Sequence, residues 1–365
     1  MTDKDRLFSI TNSIKPVDKD KFYKIAEHRL NKLIKPVGSL GRLEEFTKDI
    51  IAITGKERPQ LHNKFICVFA GDHGVVEEGV SLFKQDVTVQ MVKNFLSGGA
   101  AINAIANSVG ADVIVVDAGM STDLKVLASE AFLSGIFINE KVRAGTNNIF
   151  KSRAMNYDDA LMSLIKGIEI SDIVKGKGAD ICATGDMGIG NTTSASAITC
   201  FYSKKSPKLV CGRGTGVDAK IIDKKARIIE KAIRVNILDG GDPIDVLAGV
   251  GGLEIGEIAG FILGCAVNRV PVVVDGFIST AAALIALNIN PDVRHYMFLG
   301  HLSKEKGHMA AANLINKTPI LDLSMRLGEG TGAAIAMKII EIALDVYNNM
   351  LTFGEADVFA PELNK

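Results

Sequence analysis

Short apolar runs alternate along the chain with segments of helical periodicity. The apolar runs cover residues 65–70, 113–116, 181–183, 209–210, 272–274 and 296–299, and the helical patterns cover residues 87–107, 158–174, 191–202, 220–237, 254–267 and 278–287. Strands that are apolar on both faces and alternate with helices are typical of a parallel sheet with helices on both sides. The pattern therefore predicts an α/β fold.

Both ends of the chain carry helical patterns outside this alternation. Residues 5–55 carry helical periodicity, with apolar residues recurring over 22–34 and 43–51 and a break containing Pro and Gly at residues 35–42. An Ala-rich helix is predicted to begin just after Glu329 and to run to about Met350. We expect these terminal helices to form a small helical domain. Residues 1–58 and 336–365 would belong to it, and residues 59–335 would form the α/β domain.

Composition narrows the class of protein. The 365 residues are 47% hydrophobic and 23% charged, and 42 Lys and Arg balance 42 Asp and Glu. A neutral chain argues against broad binding to nucleic acid or membrane surfaces. The N-terminus has no signal-peptide pattern, and no apolar run is long enough to span a bilayer. The five scattered cysteines contain no CxxC spacing, so we expect a reduced cytoplasmic protein without a zinc site.

Glycine and polar residues follow most of the predicted strands. In parallel α/β sheets, ligands bind outside the carboxyl ends of the strands. Residues 185–193 (GDMGIGNTT) follow one strand and open a helix, where backbone N–H groups can hold a phosphate. Residues 211–216 (CGRGTG) form a second glycine-rich turn, which together with the first suggests a ligand with a phosphate and a ribose. Neither turn matches GxGxxG or a Walker A sequence.

Two carboxylates stand between or beside glycines at predicted turns. Glu329 lies between Gly328 and Gly330, and Asp186 follows Gly185. Two such carboxylates suit a reaction in which a proton is removed and positive charge develops. A solvated Glu at an ordinary loop-to-helix junction is the alternative at position 329.

Several other polar groups allow more than one interpretation. Asp72 and His73 are either an acid–base pair or a turn cap and a locally packed ring. The pair His301 and His308 does not have HExxH spacing, so Ser303 as a ligand contact is favoured over a metal site. In the charged helix that contains residues 224 and 225, either lysine can reach a phosphate.

Six motifs occur in the order found in one known family. They cover residues 35–43, 70–75, 188–193, 275–277, 303–307 and 325–334. The chain resembles the nicotinate-nucleotide–dimethylbenzimidazole phosphoribosyltransferases of cobalamin biosynthesis over about residues 20–350. The resemblance implies a Rossmann-like parallel α/β catalytic domain, a small helical domain made from both termini, and a dimer with its site at the carboxyl edge of the sheet.

The resemblance also implies a reaction and the residues that perform it. Phosphoribose moves from nicotinate mononucleotide to an aromatic lower-ligand base, with inversion to the α-riboside and without a metal or cofactor. Glu329 matches the general base, and Asp186 matches a position that is usually Glu beside the nucleotide. The matching or adjacent substrate-binding positions are Gly188, Gly190, Asn191, Thr192, Gly214, Lys225, Ser303, Gly328 and Gly330, with Phe83, Gln90 and Met91 in the wall of the base pocket.

Departures from the family pattern leave some properties open. Asp186 is one methylene shorter than Glu, so its contact is expected to be longer or bridged by water. Phe83 and Met91 replace polar residues of some relatives, which leaves the base open among benzimidazoles, purines and phenols. The partner is either an identical chain or a similar one. A non-catalytic paralogue that supports an active partner, and a dinucleotide-dependent oxidoreductase, are the alternative functions.

Overall fold

A six-stranded parallel sheet forms the centre of the computed structural model, which describes residues 2–124, 136–212 and 219–359. The strands are β1 Lys64–Gly71, β2 Asp112–Gly119, β3 Ile136–Asn139, β4 Ile181–Met187, β5 Val272–Val274 and β6 Met297–Leu299. Their order is β3-β2-β1-β4-β5-β6, and all five pairings are parallel. This is the Rossmann order, in which the chain reverses direction across the sheet between β1 and β4. The predicted fold class is confirmed.

Helices cover the sheet and both chain ends. They are α1 Asp3–Thr11, α2 Lys19–Leu30, α3 Arg42–Thr54, α4 Asp86–Leu96, α5 Ala101–Val109, α6 Tyr157–Gly176, α7 Asn191–Ser203, α8 Pro207–Val210, α9 Ala219–Asn236, α10 Pro243–Val250, α11 Leu253–Val267, α12 Phe277–Ile289, α13 His308–Ile315 and α14 Thr331–Asn349. Short 3-10 helices span Gly74–Glu78 and Pro291–Tyr296. In the described residues, no helix is long and apolar enough to cross a membrane.

Helix α11 packs closely against both the sheet and helix α6. Every residue of β1 is buried, and α11 is buried along almost its whole length. A Cβ at Gly260 of α11 would lie 1.9 Å from the backbone oxygen of Leu164 in α6, so these helices approach more closely than larger residues allow. The close packing makes the sheet a rigid support for the loops at its carboxyl edge.

Some predicted elements differ from those of the structure. The strand predicted at residues 209–210 is wrong, because these residues belong to helix α8, which Pro207 begins at a position that suits proline. A two-residue apolar run cannot distinguish strand from helix. The single helix predicted over residues 87–107 is two helices, α4 and α5, separated by a turn with Gly98 at φ +75°. Strand β3 and helices α10 and α13 were not predicted.

Helices from both chain ends share a small hydrophobic cluster. Its buried members are Ala26, Leu30, Leu33, Ile51 and Tyr347. Arg29 of α2 donates from Nε to the Tyr347 backbone oxygen at 2.8 Å, which satisfies a carbonyl near the end of α14. The predicted association of the terminal helices is therefore present. The boundaries 1–58, 59–335 and 336–365 stay a prediction, since α3 also contributes Phe46 to the main core.

Candidate active site

A cavity of about 440 Å³ opens beside the carboxyl ends of β4, β5 and β6. Its volume lies within the range of small-molecule binding sites. Its wall includes nine of the residues predicted for the site: Phe83, Met91, Asp186, Gly188, Asn191, Thr192, Ser303, Gly328 and Glu329. Residues from distant parts of the sequence therefore meet at one place, on the edge of the sheet where ligands bind in α/β proteins.

Glu329 has an unusual backbone conformation. Its φ is +62°, and its neighbours Gly328 and Gly330 have φ +86° and +88°. A non-glycine residue in this left-handed region costs on the order of 1–3 kcal/mol and persists where the surroundings fix it. The Glu329 N–H donates to the Asp186 carbonyl at 3.2 Å, and Thr331 begins α14 immediately afterwards. The turn thereby places Glu329 in the cavity wall, just before the first residue of the helix.

The Glu329 carboxylate is buried and incompletely satisfied. Only 5% of the residue is exposed, and its Oε2 has no hydrogen-bond partner among the described residues. Burial raises the pKa of Glu329, the backbone N–H of Ile102 opposes this rise, and the carboxylate of Asp275 adds to it. A carboxylate with a raised pKa and an unused oxygen is well suited to accept a proton.

Asp186, at the end of β4, is the second carboxylate in the cavity wall. Its Oδ2 accepts a hydrogen bond from Asn191 Nδ2 at 3.0 Å, whereas the buried Oδ1 has no partner in the described part of the chain. Burial is the main reason that its pKa is raised well above the usual value, and the carboxylates of Asp275, Glu254 and Glu329 raise it further. The unused oxygen can accept a hydrogen bond from a ligand hydroxyl.

The glycine-rich turn after β4 fits closely under its neighbours. A Cβ at Gly188 would lie 2.4 Å from the backbone oxygen of Gly71, and Gly190 has φ +97°. These conditions require glycine at both positions. Gly190 is the N-cap of α7. The Asn191 N–H donates to the Gly188 carbonyl at 3.1 Å, whereas the Thr192 N–H has no hydrogen-bond partner among the described residues. Anion binding at this helix start stays a prediction.

Lys225 places a cation directly behind that helix start. Its Nζ donates to Thr192 Oγ1 at 2.9 Å, and only 1% of the residue is exposed. Burial lowers the pKa of Lys225, while Cys211 and Glu305 oppose that decrease. Helical spacing identifies this lysine, because residues 228 and 229, three and four positions later, are both buried. Lys224 is exposed.

Other predicted residues lie outside the cavity wall. Gly190 and Gly330 are the N-cap residues of α7 and α14, and Lys225 contacts Thr192 of the cavity wall. Gln90 lies on the exposed face of α4, and its contact with a base stays a prediction. Gly214, with most of the second glycine-rich turn, lies outside the described residues.

The cavity wall also contains residues that were not named individually for the site. They are Val87, Met187, Ile189, Gly276, Phe277, Ile278, His301, Glu305, Arg326 and Leu327. Val87 had a sequence signal, because it lies four positions before Met91 and so shares its face of α4. The position of Gly276 after a predicted strand was also a signal. The apolar wall from Phe83, Val87 and Met91 is suited to a flat aromatic ring.

The histidines have structural partners. His73 Nε2 lies 2.6 Å from Glu254 Oε1, and Asp72 instead accepts a hydrogen bond from the Ser121 N–H at 2.8 Å, so the two residues are not an acid–base pair. The Nδ1 of His308 accepts from the Ser303 N–H at 2.7 Å. Burial lowers the pKa of His308 to about 3, so this ring is neutral. Among the described residues, no cluster of three His, Cys, Asp or Glu side chains could hold a metal ion.

Comparison with known proteins identifies the family. A family model described as phosphoribosyltransferase (DBI_PRT) matches residues 14–358. The chain belongs to this family. A Geobacter metallireducens relative is 52% identical over 347 residues, which are 95% of this chain and 96% of the relative. A Geotalea uraniireducens relative is 50% identical, with 94% of this chain and 96% of the relative covered. Both are named nicotinate-nucleotide–dimethylbenzimidazole phosphoribosyltransferase.

Solved structures agree with this family assignment. The crystal structure of CobT from Thermus thermophilus has a TM-score of 0.86 and 40% sequence identity, and the match covers 93% of this chain and 99% of that chain. The predicted resemblance is therefore confirmed, and the chain is a phosphoribosyltransferase. The family match excludes the dinucleotide-dependent oxidoreductase that the glycine turns alone allowed.

Proposed function

We propose that this phosphoribosyltransferase moves 5-phosphoribose from nicotinate mononucleotide to an aromatic lower-ligand base, with Glu329 as the base that accepts the proton. The products are nicotinate and the α-riboside 5′-phosphate. The names of the relatives support the two substrates. The observation that carries the residue roles is that Glu329 and Asp186 are buried in the cavity wall, and each has one carboxylate oxygen without a hydrogen-bond partner among the described residues.

The phosphate end of the nucleotide fits the start of α7. Three features favour an anion there: the Thr192 N–H, which has no partner among the described residues, the Thr192 hydroxyl, and the buried ammonium of Lys225 behind it. Asp186 lies between this position and Glu329, since it accepts from Asn191 and its backbone oxygen accepts from Glu329. A ribose bound between the two carboxylates would donate a hydroxyl hydrogen bond to Asp186 Oδ1.

The chemical step follows from the charges of the reactants. The bond between the ribose C1′ and the pyridinium nitrogen breaks, and its electron pair neutralises that nitrogen, so the leaving group needs no acid. The unprotonated ring nitrogen of the incoming base donates its lone pair to C1′ from the opposite face, which inverts the anomeric centre. The proton on the other ring nitrogen passes to Glu329, which leaves the new riboside neutral, and the nearby Asp186 stabilises positive charge on the ribose.

We propose a benzimidazole as the preferred base. Phe83, Val87 and Met91 give one side of the cavity an apolar surface, and Leu327 extends it near Glu329. A fused aromatic ring buries more apolar area against these side chains than a single phenol ring does. A purine would also bring polar ring atoms that this apolar surface leaves without hydrogen bonds.

We propose a homodimer in the cytoplasm. Leu82, Phe83, Leu323 and Leu327 are 50–62% exposed, and two of them line the cavity. Exposed apolar side chains grouped beside a site favour an interface, here with a second copy of this chain. All five cysteines are free and buried, which supports a reducing compartment.

The purified full-length chain, assayed alone, tests the proposal. Nicotinate mononucleotide is supplied with dimethylbenzimidazole, adenine or phenol in separate reactions, and NMR identifies the anomer formed. We expect nicotinate release and an α-riboside 5′-phosphate, fastest with dimethylbenzimidazole. No nicotinate release with any of the three bases would contradict the proposal and favour a non-catalytic subunit, while a β-riboside would contradict single in-line displacement.

A further inference from the structure

A buried aspartate from the neighbouring strand holds the turn that carries Glu329. Asp275 follows β5 directly and is fully buried. Its Oδ2 accepts a hydrogen bond from the Gly330 N–H at 3.2 Å, and its Oδ1 accepts one from the Ala333 N–H at 2.8 Å. Both donors belong to the unpaired first turn of α14. The carboxylate therefore caps a helix whose N-cap residue, Gly330, lies 55 residues away in the chain.

These bonds act on the two sides of a strained residue. The Glu329 N–H is fixed by the Asp186 carbonyl, and the next N–H, that of Gly330, is fixed by Asp275. With both flanking amides bound, the φ of +62° at Glu329 is imposed from β4 and β5 together. Asp275 is itself fixed, because its own N–H donates to Thr184 Oγ1 in β4 at 3.2 Å.

Asp275 has no direct route to a substrate in the described residues. It is absent from the cavity wall, whereas its neighbour Gly276 lines it. Both carboxylate oxygens are engaged by backbone N–H groups, and His301 Nε2 lies 3.8 Å from Oδ1 on another side. Any effect of this side chain on the reaction is therefore transmitted through the turn or through its charge.

We infer that Asp275 is a positioning residue for the reaction: its carboxylate binds the start of α14 and thereby holds the Glu329 carboxylate at the cavity. The inference rests on the proposed role of Glu329 as the base. The negative charge of Asp275 has a second effect. It raises the pKa of Glu329, which makes the Glu329 carboxylate a stronger proton acceptor.

Other charged groups share this environment and remain in place when Asp275 is changed. Asp186 at the end of β4 interacts with the Asp275 charge, and His301 after β6 faces Asp275 directly. Arg326 lines the same cavity from the segment before Glu329, and Glu254 of α11 acts on Asp186. A change confined to residue 275 therefore reports on the two effects proposed for it.

The experiment compares Asp275→Asn with wild type in full-length protein. Asparagine has the same shape and retains one acceptor oxygen, but it loses the charge and the second acceptor. We expect kcat to fall about 10- to 100-fold, as for a displaced catalytic group, with the KM for nicotinate mononucleotide unchanged within about twofold. Because loss of the charge lowers the pKa of Glu329, the acidic limb of the kcat/KM profile should move down by roughly half a pH unit or more.

Asp242→Asn is the matched control. Asp242 caps α10 through the Ile244 N–H at 2.9 Å, away from the cavity wall. This variant loses a capping carboxylate of the same kind, so we expect lower thermal stability with an unchanged pH profile. If Asp275→Asn does not fold, Asp275→Glu retains the charge, and it should lower kcat without moving the acidic limb.

A double variant separates this inference from the proposed function. In a Glu329→Gln background, Asp275→Asn should cause no further loss of turnover, because both residues act on one group. Normal kcat and an unmoved acidic limb in the single Asp275 variant, or a multiplicative loss in the double variant, would overturn the inference and leave Glu329 as the base. Near-normal turnover of the Glu329→Gln variant alone would instead overturn the proposed function.

Discussion

At the scale of single residues, the two carboxylates that we propose for the reaction lie in different environments. Glu329 is held in a left-handed turn by backbone hydrogen bonds, whereas Asp186 extends from the end of β4 and binds Asn191. Burial raises the pKa of both carboxyls. Because their hydrogen-bond partners differ, we propose different roles for them, proton acceptance for Glu329 and ribose binding for Asp186.

Asp186→Asn should weaken nucleotide use. The ribose would lose a charged hydrogen-bond acceptor worth about 1.5–3 kcal/mol, so we expect kcat/KM for nicotinate mononucleotide to fall about 10- to 100-fold. Steady-state kinetics and calorimetric titration with the nucleotide measure this loss. Asp186→Glu is the matched control because it keeps the carboxylate, and it should retain much more activity. An equal loss of kcat/KM in the Asn and Glu variants would contradict a role for the negative charge of residue 186 in ribose binding.

At the scale of elements, two helix starts meet at the cavity, and we propose a different task for each. Helix α7 presents the Thr192 N–H, which has no partner among the described residues, while the turn before α14 presents Glu329. Each start follows a glycine with positive φ, Gly190 or Gly330, which allows the chain to turn sharply from the sheet into the helix. The phosphate and the reacting nitrogen would therefore be held by separate elements of a rigid scaffold.

Lys225→Met should affect phosphate binding, while Lys224→Met should not. Methionine fills the same buried space but removes the ammonium behind Thr192, so the KM for nicotinate mononucleotide should rise about tenfold, a change of about 1.4 kcal/mol. Lys224 occupies the next position of the same helix and is exposed, which makes it a direct control. Similar KM values for the two variants would remove Lys225 from the phosphate site.

Local signals explain which parts of the fold and site were predictable. The strands and the turn around Glu329 are determined by residues that are close together in the sequence, namely apolar runs and flanking glycines. Both could therefore be predicted from the sequence alone. Asp275 could not be assigned, because its partners are 55 and 58 residues away. The segment at residues 209–210 was misassigned because two apolar residues are too few to show helical or strand periodicity. These residues belong to a helix that begins at Pro207.

At the scale of the whole molecule, the site lies beside an exposed apolar surface. Leu82 is 62% exposed and Leu323 is 55% exposed, and their neighbours Phe83 and Leu327 line the cavity. A surface of this kind is unfavourable in water unless another surface covers it. The proposed homodimer would bury it and would limit the access of water to the reacting ribose.

Leu82→Glu should weaken the dimer. A charge at the centre of an apolar interface must be desolvated on association, which costs several kcal/mol when it has no partner. Sedimentation should give a dimer of the 38.9 kDa chain for wild type and a monomer for the variant. Leu238→Glu, at a residue that is 74% exposed elsewhere on the surface, should remain dimeric. A monomeric wild type, or an unaffected Leu82 variant, would contradict this assignment.

The most direct test of the account is the pH dependence of kcat/KM for wild type and Glu329→Gln. Deprotonated Glu329 accepts the proton, so wild-type kcat/KM should rise with pH through a value above the usual glutamate pKa, because burial raises it. The Gln variant, still binding nicotinate mononucleotide by calorimetry, should lose at least about 100-fold in kcat together with this acidic limb. A Gln variant with near-normal kcat and the same acidic limb would contradict the central claim.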